Sequence, residues 1–364
     1  MTQEFSADKF LKLVSESYDD ALKKMGHANV LIAGRSGVGK STLINAVFGE
    51  NLAETGQGKP VTQTTKRIVK QGIPVALYDT RGLEMEQYRA TLDQLKTFLT
   101  QSRNSIDIEN HIHVAWVCVA EDSRRFEDGE QAVVKLCSEF GISVIVVITK
   151  ARMDDGFLAK IKELAPSASQ HLSVRAIEET FDDGHKIPKK GLKELIQATH
   201  ECVPEGRKSA FAAAQKIDID LKKSKAHKII SAAATSAFAA GASPIPFSDA
   251  AILIPIQIGM ITGITLALGV SLEAGGLVSV AASAVGCAAA TIAGRTIIVN
   301  IFKLIPGGGS LVGGAISAAT ASAVTIALGE TYLQLLAHLV EKFGRNPTAT
   351  EITDAFKLAW RNRV

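Results

Sequence analysis

The stretch Gly34-Arg35-Ser36-Gly37-Val38-Gly39-Lys40-Ser41-Thr42 constrains this chain more than any other. It follows the apolar run Asn29–Ala33 and leads into Leu43–Phe48, the order of a strand, a glycine-rich turn and a helix start. Glycines at this spacing let successive backbone N–H groups turn inward around an anion, and a helix N-terminus adds its partial positive charge. Lys40 has the reach to touch the outer phosphates of a nucleotide, and the Ser41 hydroxyl is a ligand for Mg²⁺. Residues 34–42 therefore predict a cradle for a nucleoside triphosphate.

The residues downstream complete that half of a site. Pro60-Val61-Thr62-Gln63-Thr64-Thr65 follows the polar stretch Glu54–Lys59, and Thr62 and Thr65 are the candidates for a loop threonine that closes on Mg²⁺ and the γ-phosphate. Lys66–Lys70 and Ile73–Tyr78 read as a hairpin about Gln71-Gly72 that delivers the chain to Asp79-Thr80-Arg81-Gly82. A carboxylate at a strand's C-terminal end can hold a Mg²⁺ water, and the following Gly82 can give its N–H to the γ-phosphate. Lys40, Thr62, Thr65 and Gly82 are thus expected around the transferred phosphoryl group, with Ser41, Thr62 and Asp79 on the metal. Leu83 follows, and its side chain can neither donate nor accept a hydrogen bond. Any hydrolysis must take its water from another group or a partner, which predicts slow turnover.

The base-recognition half is less regular. His113–Val119 and Ser143–Ile148 are near-continuous apolar runs, as expected of central parallel strands. His111 and His113 stand at strand spacing, but no carboxylate or further histidine beside them suggests a metal. Arg124 and Arg125 in the charged loop 121–130 are surface arginines or, in the sharper reading, arginine fingers. Thr149-Lys150 ends the second strand as a guanine-reading motif begins, yet Arg152 stands where that motif needs an aspartate. Asp154, after a bulge, is the candidate replacement, and Arg175-Ala176 the candidate loop whose backbone N–H meets the base.

Composition changes along the chain. Lys+Arg of 40 against Asp+Glu of 37 gives a net charge of +3, too mild to suggest nucleic acid. Four scattered cysteines fit a reducing cytosol, and the charged first 27 residues do not read as a signal peptide. Phe10, Leu11, Val14, Tyr18 and Leu22 make one apolar face of a helix over 6–25, with Ser6 as its N-cap. Residues 207–228 read as one basic helix. After it come four weakly charged stretches, 229–248, 250–272, 274–294 and 304–329, each long enough to cross a bilayer. Pro244-Ile245-Pro246 and Gly307-Gly308-Gly309 read as turns between them. Their Ala, Gly and Ser content suits tight helix packing in lipid or in water. The favoured reading is a compact helical domain that associates with membrane, ahead of integral insertion and of a soluble bundle.

Together GRSGVGKSTLINAVFG, PVTQT, DTRGLE and VITK resemble the Era-like and immunity-related branches of the TRAFAC P-loop GTPases. The tail SPIPFSDAAILIPIQIGMITGI is similar to a membrane-associated helical domain that follows such GTPases in bacteria. The resemblance implies an α/β GTPase domain, a mostly parallel sheet with flanking helices, followed by an all-α, Ala/Gly-rich domain. It divides the chain into an amphipathic helix at 1–27, the GTPase domain at 28–206 and the helical domain at 207–364. It implies GTP/GDP, Mg²⁺ and a nucleotide switch. Membrane lipid and a homodimer through the nucleotide domain are the expected partners, and the cytoplasm, peripheral to or inserted in the inner membrane, the expected place. The alternative is a nucleotide-gated membrane-inserting or scaffold protein with negligible turnover. An ATPase stays open because of Arg152.

Overall fold

A computed structural model describes residues 7–49, 59–60, 65–69, 75–80, 88–241, 249–293 and 318–363. Its contacts divide the chain into two units: Met25–Asp218, and Met1–Lys24 with Ile219–Val364.

In the first unit the apolar run becomes β1 (Ala28–Ala33), buried along its whole length. β1 lies between β4 (Val75–Thr80) and β5 (Val114–Ala120), both parallel to it. β6 (Ser143–Thr149) and β7 (Gln170–Ser173) extend the parallel sheet on one side. On the other, β2 (Lys59–Pro60) and β3 (Thr65–Val69) add an antiparallel edge, for the order β2-β3-β4-β1-β5-β6-β7. The continuous Val/Ile/Leu runs of β1, β5 and β6 are what a sheet covered on both faces requires.

One face packs Leu31, Tyr78, Val117 and Val146 under α3 (Tyr88–Asn104), α4 (Asp128–Glu139) and α5 (Phe157–Leu164). Opposite it, Phe48 of α2 (Lys40–Phe48) stacks on Trp116 at 5.9 Å and meets Phe211 of α7 (Glu205–Ala214) edge-on at 6.2 Å. The Trp116 indole donates to Thr199 Oγ1 at 3.0 Å, which fixes α6 (Leu192–Cys202) on that face. The parallel register places the C-terminal ends of β1, β4, β5 and β6 along one rim, where ligands of open α/β sheets bind.

The single basic helix expected over 207–228 is two helices, α7 and α8 (Ile219–Gly241). The reason is Gln215, which is fully buried. Its Oε1 accepts from the N–H groups of Ile217 and Asp218 at 2.6 and 2.7 Å, and its amide donates to Asp218 O and Ala212 O. One side chain thus satisfies the groups that the broken helix releases.

The second unit is helical. α1 (Ala7–Met25) brings Val14 into a core formed with α8, α9 (Asp249–Ala267), α10 (Ala274–Ala293), α11 (Ala318–Phe343) and α12 (Ala349–Arg363). Tyr332 and Phe356 meet edge-on at 6.1 Å, and Trp360 stacks on Phe356 at 5.7 Å, so the tail packs into the bundle. α8 runs antiparallel to α9, since Lys222 Nζ donates to Leu268 O at 2.8 Å while Ala237 clusters with Leu253. Among the described residues one helix, Ala318–Phe343, is long and apolar enough to cross a membrane, and 56% of its most apolar stretch is buried inside the unit. The turns expected at 244–246 and 307–309, and the Ser6 cap, lie outside the described residues.

Candidate functional site

The glycine-rich loop joins β1 to α2 at the rim. Gly34 has φ 146°, and a Cβ there would lie 2.4 Å from the carbonyl oxygen of Cys118 on β5, so only glycine lets the loop leave the strand at this height. Gly39 is the left-handed N-cap of α2, whose first bond runs from Leu43 N to Gly39 O at 2.9 Å. The loop therefore ends at a helix N-terminus, as an anion site requires.

Lys40 is the first residue of α2 and is 9% exposed. Its ammonium donates to the carbonyls of Gly34 and Arg35 at 2.6 and 2.9 Å. The charge is held over the loop by the loop's own backbone. Ser36 and Gly37 are exposed, Val38 is buried, and Ser41 and Thr42 are exposed on the first turn of α2. The Thr149 hydroxyl lies between the carbonyls of Val38 and Val119, the latter at 3.1 Å, and ties the loop to the ends of β5 and β6.

Asp79 is buried near the end of β4, level with Ile32 of β1 and Lys66 of β3. Thr65 opens β3 opposite Thr80. Thr62, Gly82 and Leu83 lie outside the described residues.

Arg35 turns aside. Its guanidinium pairs with Glu127 and, at 3.2 Å, with Glu130 at the start of α4. Glu127 and Glu130 form a capping box there. Burial pushes the Glu130 carboxyl above its usual range, while Arg35 and a backbone bond pull it back. The spacing E-x-x-E is the sequence sign of this helix start.

On the base side, Lys150 has φ 53° and pairs with Asp122 at 3.2 Å on the surface. Glu121, only 5% exposed, accepts from the N–H groups of Arg152 and Met153 at 2.6 and 3.1 Å, so its carboxylate shapes the turn after β6. Arg152 reaches instead to Glu179 at 2.8 Å and lies over the Phe181 ring, on the small hairpin β8 (Glu179–Thr180) and β9 (Lys186–Ile187). Asp154 Oδ1 accepts from Gly156 N and Leu158 N at 3.1 and 3.3 Å and so caps α5. Arg175 is buried and donates to Ala151 O and Pro188 O at 2.8 and 2.6 Å, while its own N–H goes to Lys190 O. Ala176 follows, half-buried. Arg124 pairs with Asp155. His113, expected beside a strand start, accepts a bond from Asn29 N at 2.9 Å through Nδ1, and His111 meets Ser105 O at 3.1 Å.

Residues 29–150 match the family model described as 50S ribosome-binding GTPase. Over this span the chain is similar to P-loop GTPases of the Era, Der and MnmE type. It is 28% identical to the GTPase Era of Xanthomonas axonopodis pv. citri over 186 residues, 49% of this chain and 56% of that protein. It is 30% identical to the tRNA modification GTPase MnmE of Lysinibacillus sphaericus over 169 residues, 43% and 32% of the two chains. To the GTPase Der of Dinoroseobacter shibae it is 26% identical over 138 residues, 37% and 27%. The chain thus spans at most about half of these relatives. In the GTPase domain, the phosphate-side residues Gly34, Gly39, Lys40, Asp79 and Thr149 converge on one rim, whereas Arg35, Asp154 and Arg175 are engaged with their own chain.

Proposed function

We propose that the chain is a Mg²⁺-dependent GTP-binding protein that hydrolyses GTP slowly and works as a nucleotide switch for its helical unit. The observation that carries this is the Lys40 ammonium, fixed on Gly34 O and Arg35 O beside a loop that Thr149 anchors. A triphosphate entering the loop meets a preorganised cation, backbone N–H groups and the N-terminus of α2. Ser41, Asp79 and Thr62 or Thr65 supply hard oxygen donors of the kind Mg²⁺ takes, so the residues fit the ion. Bound Mg²⁺ would neutralise charge building between the β- and γ-phosphates. Closure of the segments holding Thr62 or Thr65 and Gly82 on the γ-phosphate would be the switch.

Thr149 and Lys150 support guanine, whereas the carboxylate that usually reads the base is replaced by Arg152, and Asp154 is used as a helix cap. Leu83 supports slow turnover, raised by self-association through the nucleotide domain or by an activator. It equally favours the second reading, a nucleotide-gated scaffold or inserting protein with negligible hydrolysis. The apolar helical unit supports association with lipid at the cytoplasmic face of the inner membrane.

One experiment separates these readings. Full-length protein is tested for displacement of labelled GTP by GTP and by ATP, and for phosphate release with and without vesicles. Preference for GTP with release stimulated by vesicles is expected. Equal displacement by ATP defeats the guanine assignment, and no release under any condition leaves the scaffold. Lys40→Ala should weaken nucleotide binding by about 100-fold or more, since it removes a charge-assisted bond worth about 3 kcal/mol.

A further inference from the structure

Three helices of the second unit end together. A Cβ on Gly241, the last residue of α8, would lie 2.8 Å from Cα of Ala318, the first of α11. Ala237, Leu253 and Ala321 form a small buried cluster beside it, which brings in the start of α9. Further along, a Cβ on Gly329 would meet Ile230 and Met260 at 2.8 Å. α8 therefore runs antiparallel to α9 and α11, and one end of the unit is built from the C-terminus of α8 and the N-termini of the other two.

Among the described residues, these three helices carry no charge toward that end apart from Asp249. α8 has no ionisable side chain after Lys228, α11 has none before Glu330, and α9 has none after Asp249. Phe238, Ile252 and Ile326, one from each helix, are 52%, 39% and 43% exposed there. The border is polar and of mixed charge: His227 pairs with Glu330 at 2.9 Å, and Lys223 and Lys228 line a shallow groove with Asp220, Ser224 and Ser231. From Lys228 to Phe238 is ten residues, or about 15 Å along a helix. Half of a hydrocarbon core about 30 Å thick is the same depth.

We infer that this end of the bundle enters one leaflet of an anionic membrane, with Phe238, Ile252 and Ile326 in the acyl region and Lys223 and Lys228 at the phosphates. The inference rests on the membrane reading above and adds a depth and an orientation to it. Each of the three exposed side chains sits on a different helix, which suits a tip surrounded by lipid better than a flat contact. Below the border, α11 carries Glu330, His338, Glu341 and Lys342, a poor continuation into the second leaflet.

The test uses the full-length chain with F238W, and K342W as a control near the other end of α11. Trp116 and Trp360, both buried, give a constant background in the wild type. Vesicles of phosphatidylethanolamine and phosphatidylglycerol carry bromine on their acyl chains. Quenching of F238W well beyond the wild type, with K342W unaffected, is the expected result. F238E with I326E should lower vesicle co-flotation roughly tenfold, with circular dichroism and nucleotide binding unchanged. Co-flotation without F238W quenching overturns the tip but leaves the membrane reading standing. Quenching of both tryptophans means a full span and overturns the one-leaflet depth. No co-flotation with any nucleotide defeats both.

Discussion

The Thr149 hydroxyl stands at the joint between the phosphate loop and the sheet, within reach of Val38 O and Val119 O. Thr149→Ala strips a buried loop carbonyl of its partner, at about 1–2 kcal/mol. Nucleotide affinity should fall about tenfold in a fluorescent-nucleotide titration, and Thr149→Ser should restore it. His113 gives a second residue-scale outcome. Burial first, then the positive charges of Arg207, His27 and His111, push its imidazole down to about 4. The unfolded chain titrates near the ordinary value of about 6.5. Below about 6.5 the unfolded state therefore takes up a proton that the folded state refuses, and stability falls with pH until about 4. Protonation would also turn the acceptor facing Asn29 N–H into a donor. Thermal melts from neutral pH down to about 4.5 should show this loss, and His113→Gln should flatten it. His27 and His171, also lowered by burial, add to the slope in the same direction.

At the scale of elements, what could be read in advance followed the local rules. β1, β5 and β6 are apolar because both of their faces are covered, so their positions stood out. The loop 34–42 was equally plain, since its glycines, lysine and serine are fixed by local backbone chemistry. Side-chain assignments on the base side depend on which distant carboxylate arrives. Nothing near Arg152 announces Glu179, and nothing near Arg35 announces that Glu127 and Glu130 fold back upon it. The break between α7 and α8 was hidden for a similar reason. Glutamine is an ordinary helix residue, and only its burial makes it a hydrogen-bonding hub for four backbone groups. Gln215→Ala should cost about 2–3 kcal/mol in urea unfolding, whereas an exposed glutamine would cost little. Gly329 is the corresponding device in the bundle. Gly329→Val drives a side chain into Ile230 and Met260 and should destabilise by about 1–3 kcal/mol.

At the scale of the whole molecule, the chain leaves the helical unit at residue 24 and re-enters it at residue 219. The amphipathic face of α1 was legible, but not that its partners lie more than two hundred positions away, because periodicity identifies a buried face without naming what buries it. Val14 is 1% exposed among residues of the later helices. Val14→Asp buries an unpaired charge and should cost several kcal/mol. Its effect should be read as a lower melting temperature of the full chain with nucleotide affinity retained.

That topology makes the first unit, Met25–Asp218, a clasp. Docking α1 onto α8 through a flexible segment of roughly 200 residues would carry a loop-closure cost of about 4–5 kcal/mol. Folding of that unit removes most of that freedom: Gly26, at its entry, lies against Gly206 and Arg207 at the start of α7, the last helix before its exit at Asp218. Any ligand that stabilises the domain in turn stabilises the closed ring to which α1 belongs. Nucleotide in the loop at Gly34 would then reach Val14 only by opposing the unfolding of the ring, which raises the melting temperature of the chain and leaves affinity unchanged.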